Sequence, residues 1–373
     1  MRSWEEALQA EDAELVGWAE AQPWAREMAS CPQDREWHAE GDVWTHTKMV
    51  CDALRELGEW RQLDRSAQLK VFFGALFHDS GKPTTTALDP DSGRLRSPKH
   101  ALLGATVARR ALADLGCDLA TREEIATLVR YHSRPPHVDE RPSPERDVIS
   151  LSWQLTNRLL YLLACADTAG RKTGSSGDAF ERINLWRNLA EEQECFEAPF
   201  PFANDKARVL FFRGQLPDLK YVPHESYRSR VILMSGLPGA GKDTWLQKNR
   251  PELSVVSLDD LRRDLEIDPE DDQGVVVQGA RERCREYLRK PADFALSCTN
   301  VSRRQRAHWI ALFTDYDARV EIVYIEPPFA KILGNNRQRP RPVPGKVIER
   351  LWERLEPPQI TECHGLVLSS GAR

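Results

Sequence analysis

Gly236-Leu-Pro-Gly239-Ala-Gly241-Lys242-Asp243-Thr244 has the composition of a phosphate cradle. Glycines at Gly236, Gly239 and Gly241 permit a tight turn. The backbone N–H groups of such a turn wrap phosphate oxygens at a helix N-terminus, where the dipole favours anions. Lys242 is placed to reach the β- and γ-phosphates, and Thr244 offers a hydroxyl to a phosphate. Asp243 stands where Ser or Thr ordinarily helps hold Mg²⁺. A carboxylate is also a hard oxygen ligand, so Asp243 either holds the ion, directly or through water, or only caps the helix.

A second stretch, "SLDDLRRD", follows the next apolar run and puts Asp259 at the carboxyl edge of a sheet, beside the loop. A carboxylate there can take the proton of an attacking hydroxyl. Arg262 lies one helical turn on and is the candidate clamp for an acceptor phosphate. "NNRQRPRPVP" supplies Arg337, Arg339 and Arg341, either as a cationic lid over a transferring phosphoryl group or as a solvated basic loop. "NVSRRQR" is a second basic cluster. Arg306 is its candidate substrate contact, and an ordinary helix face is the alternative.

The other chemistry-bearing set is upstream. His46, His78, Asp79, His100, His132 and Asp167 each fall on a predicted helix or its end. Imidazoles and carboxylates suit a divalent transition metal, and a helical bundle can project such ligands inward. A metal so held activates water against a phosphoester. Lys82 either contacts a substrate phosphate or is a surface lysine after a helix end. His38 and His137 are read as ordinary histidines.

The elements that must position these residues differ between the halves. Residues 1–198 read as helical: "VWTHTKMVCDALREL", "SAQLKVFFGALFHD", "KHALLGATVARRALADLG", "TREEIATLVRYH" with a Thr121–Glu124 capping box, and one long apolar helix, "SLSWQLTNRLLYLLACADTAG". Prolines and tyrosines mark 199–228 as an ordered connector. From 229 to 373, short apolar strands alternate with helices, which predicts a parallel sheet with helices on its faces. The fold class expected is therefore an all-α domain followed by an α/β P-loop domain.

Composition excludes some functions. The 373 residues suffice for two domains, and a net charge of -5 excludes binding by global attraction to nucleic acid. Eight cysteines without CxxC spacing suggest reduced thiols in the cytoplasm. The N-terminal residues lack a signal peptide's apolar core, and no run approaches a membrane span.

The loop, the Asp-x-x-Arg spacing at Asp259–Arg262 and the arginine-rich segment resemble the polynucleotide 5′-kinase family. That resemblance implies that Asp259 activates a 5′-hydroxyl, that Arg262 contacts the acceptor's phosphate, and that Arg337, then Arg341, is the lid arginine. "EGDVWTHT", "HDSGKP", "KHALLGA", "YHSRPP" and "ACADTAG" resemble the HD phosphohydrolase superfamily, especially modules of RNA-end and tRNA-terminus enzymes. It implies His46, His78, Asp79 and Asp167 as the core metal ligands, with His100 and His132 completing a second site bridged by Asp79. The number of ions, one or two, stays open.

Together the halves resemble the bacterial HD-Pnk end-healing enzymes. The resemblance implies removal of 2′,3′-cyclic phosphate, 2′-phosphate or 3′-phosphate ends, ATP·Mg²⁺-dependent 5′ phosphorylation of RNA or DNA, and work alongside a polynucleotide ligase. Three rivals use the same residues: a nucleotide phosphohydrolase fused to a small-metabolite kinase, an ATP-gated HD regulator, and an interaction protein with degenerate sites. The intact Lys242, Asp259 and His46/His78/Asp79/Asp167 set speaks against the last.

Overall fold

The computed structural model describes residues 1–34, 36, 38–172, 177–267 and 271–371. They form two compact units, Met1–Pro201 and Phe202–Arg373. The stretch 199–228 divides between them. From Phe202 onward it belongs to the second unit and contains the helix Asp205–Phe212, capped by Asn204.

The first unit is helical, with a two-stranded antiparallel ribbon, β1 (Ala87–Leu88) and β2 (Leu95–Arg96). Its helices follow from caps and apolar stripes. Val43–Glu56 starts at Asp42, whose carboxylate accepts the Thr45 N–H at 2.8 Å. Val43, His46, Thr47, Val50, Cys51 and Leu54 are buried at the 3–4-residue spacing of one helix face. His46 is thereby carried inward with the core. Arg65–Phe77 is capped by Asp64, and Val71 to Phe77 are buried without interruption, so the helix runs through the interior to His78.

Two expectations are corrected. Leu119–Tyr131 is capped by Asp118, which accepts the Thr121 N–H, so Thr121 lies inside the helix. The long apolar helix is two, Pro144–Ser152 and Asn157–Ala169. The buried Asn157 amide donates to the carbonyls of Val148 and Cys195 at 3.0 and 2.8 Å, satisfying carbonyls that the break and a neighbouring turn leave inside the protein.

The second unit holds five parallel strands: β3 (Ser229–Ser235), β4 (Ser254–Ser257), β5 (Phe294–Ser297), β6 (Ala318–Ile325) and β7 (Gly365–Ser369), in the order β4-β5-β3-β6-β7. Side chains alternate across β3 with period two. Val231 and Leu233 pack with the helices Gly274–Arg289 and Arg303–Thr314. Ile232 and Met234 pack with Leu246 of the helix Lys242–Asn249. β7 was not foreseen, and its five residues are all half-buried, without alternation.

The helix Asp205–Phe212 is fastened by Arg208, which is 1% exposed and donates to the carbonyls of Ile360, Cys363 and His364. His364 is buried, and its Nδ1 accepts the Val320 N–H at 3.0 Å. Burial and the nearby Arg319 push its pKa from 6.5 down to about 4. Between those values an unfolded chain takes up a proton that the folded ring refuses. The His364 contribution is therefore complete above pH 6.5 and is lost as pH falls toward 4. We expect His364→Leu to cost about 1 kcal/mol at pH 7. Urea denaturation across pH 4–7.5 should give the variant a shallower stability slope than wild type, and equal slopes would refute this role.

Candidate metal centre and phosphate-binding cleft

Five helices of the first unit deliver the metal-type residues to one place. His46 comes from the first turn of Val43–Glu56 and His78 from the C-cap of Arg65–Phe77, with Asp79 next. His100 opens the helix His100–Asp114, His132 caps Leu119–Tyr131, and Asp167 lies near the end of Asn157–Ala169. The glycine of "HDSGKP" permits this convergence, since a Cβ on Gly81 would lie 2.1 Å from the His100 carbonyl oxygen. All but the half-buried His100 are buried.

The donors form two adjoining groups. Asp167 Oδ1 is 3.1 Å from His46 Nε2 and 3.9 Å from His78 Nε2. Asp79 Oδ2 is 3.2 Å from His78 Nε2, while its Oδ1 is 3.5 Å from His100 Nε2. His100 and His132 present their Nε2 atoms 3.5 Å apart. Each of His78, His100 and His132 holds its Nδ1 2.7–2.8 Å from a backbone carbonyl three residues earlier. That contact places the proton on Nδ1 and leaves Nε2 as a lone-pair donor. His78 Nε2 is buried and makes no hydrogen bond. A buried acceptor of this kind, facing carboxylates, fits a divalent metal ligand.

The surrounding charges suit the same purpose. Lys82 donates to Asp79 Oδ2 at 2.7 Å and to Gln33 Oε1 at 2.7 Å, so it faces the cluster and is not a surface lysine. Arg171 grips Asp167 at 2.5 Å. Burial opposes ionisation of both carboxylates, yet Lys82 holds Asp79, and Arg171 and His46 hold Asp167, well below the usual carboxylate range. Burial, with His78 and His100 nearby, pushes His132 down to about 3, keeping it neutral. Burial also works against protonation of His46, but Asp167 and Glu40 outweigh it and raise its pKa.

Sequence reasoning missed Glu40, whose Oε1 is 2.9 Å from His46 Nδ1 and 2.8 Å from His38 Nδ1. It opens the stretch "EGDVWTHT", but a turn brings it there, so no helical spacing reveals it. Arg171 was also missed, although Asp167–Arg171 has the i,i+4 spacing of a helical ion pair.

In the second unit the glycine loop lies between β3 and the helix Lys242–Asn249 and lines a cleft of about 700 Å³. Gly236 and Gly239 have φ of 145° and 83°. A Cβ on them would lie 2.5 Å from Ile325 O and 2.6 Å from Ile332 O, so only glycine fits the cradle. Gly241 is the helix N-cap, and the first-turn N–H groups, which have no intrahelical partners, face an incoming anion. Lys242 Nζ rests on the carbonyls of Gly236 and Leu237 at 2.9 and 3.0 Å. Burial lowers its pKa. These residues fit a nucleoside triphosphate. Asp243 is not the cap: it lies in the first turn and accepts the Ser297 hydroxyl at 2.8 Å. Thr244 lines the same cleft.

Asp259 faces that cleft from the helix Leu258–Asp264, which Ser257 caps. Arg262 donates to Asp259 Oδ1 at 2.6 Å, and Arg339 to its Oδ2 at 2.8 Å. The lid expectation is thereby corrected. Arg337 and Arg341 are exposed and outside the cleft lining, whereas Arg339 lines it with Asn335. On the helix Phe329–Arg337, Arg337 lies two residues past Asn335 and points about half a turn away.

Arg306 is also corrected from substrate contact to scaffold. It is 0% exposed, forks onto Glu362 at 2.8 and 2.9 Å, and donates to the carbonyls of Asn300 and Glu356.

The helical cluster and the phosphate cleft define a chain that joins an HD domain to a P-loop domain. Comparison with known families agrees: residues 43–152 match the HD domain, and residues 231–358 match a AAA domain. Among curated proteins, the chain is 35% identical over 160 residues to a CC-adding tRNA nucleotidyltransferase of Thermus thermophilus, covering 43% of this chain and 33% of that protein. It is 31% identical over 153 residues to an A-adding tRNA nucleotidyltransferase of Deinococcus radiodurans, covering 40% and 35%. A multifunctional CCA protein of Halorhodospira halophila is 35% identical over 101 residues, 27% of this chain and 21% of that one. The chain thus spans about a third or less of the length of the curated relatives it matches.

If Arg306 is scaffold, Arg306→Ala leaves Glu362 buried without its partner and should cost about 3–5 kcal/mol of stability. Chemical denaturation measures this. A variant of wild-type stability with selectively weakened acceptor binding would restore the substrate role.

Proposed function

We propose that the chain heals broken nucleic-acid ends with two active sites. The HD domain hydrolyses a 2′,3′-cyclic phosphate, 2′-phosphate or 3′-phosphate. The P-loop domain transfers the γ-phosphate of ATP, or another NTP, to a 5′-hydroxyl, leaving ends for a polynucleotide ligase to join. The observation that carries this reading is Asp259: a carboxylate in the cleft of the phosphate loop, held by two arginines from different elements. Hydrolysis of a nucleotide needs no base for an acceptor alcohol; transfer to a hydroxyl does.

In the kinase half, Asp259 accepts the proton of the 5′-hydroxyl as its oxygen attacks the γ-phosphorus and the bond to the β-phosphate oxygen breaks. Lys242 and Arg339 offset charge on the transferring group, and Arg262 orients the acceptor. In the HD half, His46, His78, Asp79 and Asp167 would hold one divalent transition metal, and Asp79 with His100 and His132 a second. The metal supplies a nucleophile at neutral pH and stabilises phosphoryl charge when bound. Lys82, which donates to Asp79, would draw in the substrate phosphate. RNA is the favoured substrate, because the relatives are named for work on tRNA. With no global positive charge, contacts are confined to a few nucleotides at each end.

The test is a short RNA bearing a 5′-hydroxyl and a 2′,3′-cyclic phosphate, incubated with ATP and divalent metals. Lys242→Ala and Asp259→Ala should lower 5′ phosphorylation about 10²–10⁴-fold and spare 3′-end processing. Asp79→Ala should do the reverse. Phosphorylation of free nucleosides with no transfer to any oligonucleotide would overturn the proposal. Within the kinase half, Arg339→Ala should reduce kcat at least about tenfold. Arg337→Ala should stay near wild type, and steady-state kinetics showing the opposite order would return the lid role to Arg337.

A further inference from the structure

In phosphate loops of this type, Mg²⁺ is held by a Ser or Thr hydroxyl after the loop lysine and by an Asp on a neighbouring strand. This chain has Asp243 after the lysine. β3 lies between β5 and β6, and on the β5 side Leu296 is paired to Leu233. The last residue of β5, Ser297, therefore stands level with Met234, just before the loop begins at Gly236. The end of β5 is sewn to the loop: the Gly236 N–H donates to the Thr299 carbonyl at 2.9 Å. Ser297 is 6% exposed, lines the cleft with Lys242, and donates its hydroxyl to Asp243 Oδ1 at 2.8 Å.

The hydroxyl and the carboxylate are both present, in contact, on the expected two elements. Each occupies the other's usual place. We propose that Asp243 and Ser297 together form the Mg²⁺ anchor of the nucleotide site, with carboxylate and hydroxyl exchanged between loop and strand. This rests on the reading of the cleft as an ATP site and adds Ser297 to it. One carboxylate and one hydroxyl remain facing the phosphates, so the charge offered to the ion is unchanged. Hard oxygen ligands of either kind satisfy Mg²⁺. The exchange also accounts for the departure of Asp243 from the usual loop pattern.

Exchange predicts a reciprocal rescue. Asp243→Ser leaves two hydroxyls and no carboxylate, and Ser297→Asp sets two carboxylates against each other. Each should weaken divalent-dependent ATP binding by about tenfold or more. The double variant Asp243→Ser/Ser297→Asp restores the usual arrangement and should return to within about threefold of wild type, a strong departure from additivity. Ser297→Ala keeps the carboxylate and should weaken binding less than Asp243→Ser.

The measurements use the full chain: fluorescence titration with a labelled ATP at graded Mg²⁺, and the Mn²⁺ spin-resonance signal gained only when ATP is added. The second readout separates this ion from any held by the histidine cluster. Additive losses in the double variant would overturn the exchange. So would wild-type behaviour in Ser297→Ala alongside loss in Thr244→Ala, which would assign the hydroxyl to Thr244. In either case wild-type ATP binding would leave the kinase reading standing. Failure of the wild-type chain to bind ATP at all would overturn that reading and this inference with it.

Discussion

Asp79 and Asp167 are 2% and 1% exposed, and an ionised carboxylate that far from water costs several kcal/mol unless charges and hydrogen bonds surround it. The first unit meets that cost from every side. Lys82 serves Asp79, and Arg171 and His46 serve Asp167. The histidines are oriented by helix-end carbonyls, so their free nitrogens turn toward the carboxylates. Removing one partner would leave a buried charge uncompensated, and this makes the cluster a single unit. A divalent cation fits it because the set gathers carboxylates and imidazole lone pairs in a buried site.

The P-loop unit treats charge differently. Its cleft offers an anion backbone N–H groups and a lysine held by loop carbonyls, while Asp259 stays largely exposed. Buried charge occurs away from the cleft, where it serves the scaffold. Arg208 ties the helix Asp205–Phe212 to carbonyls between Ile360 and His364. Arg306 joins Glu362 to the turn at Asn300. Each spans more than fifty residues of sequence with a guanidinium fork whose several donors match the available acceptors.

Much of this was legible because its cause is local. Apolar spacing around Val43–Leu54 turns His46 inward whatever else the chain does, and the glycine loop needs only its own φ angles and a strand before it. The β-α alternation fixes a parallel sheet through the length of its connections. The failures share a different cause. A capping choice between Thr121 and Asp118, or a helix break before Asn157, depends on carbonyls and neighbours that the local pattern does not contain.

By itself, then, the sequence determined the two fold classes and the glycine loop with Lys242, and it picked out His46, His78, Asp79, His100, His132, Asp167 and Asp259 as candidates. The fold classes and the loop rest on residue type and short-range periodicity, while the assignment of the histidines and aspartates to a metal rests on the resemblance to HD phosphohydrolases. Tertiary structure alone decided which arginine faces the cleft, because Arg337 and Arg339 differ only in rotation about a helix end and its following loop. It alone set Glu40 against His46, withdrew Arg306 into the core, and brought Ser297 to Asp243 across 54 residues. Such contacts join segments far apart in the chain, and only the folded backbone sets their distance.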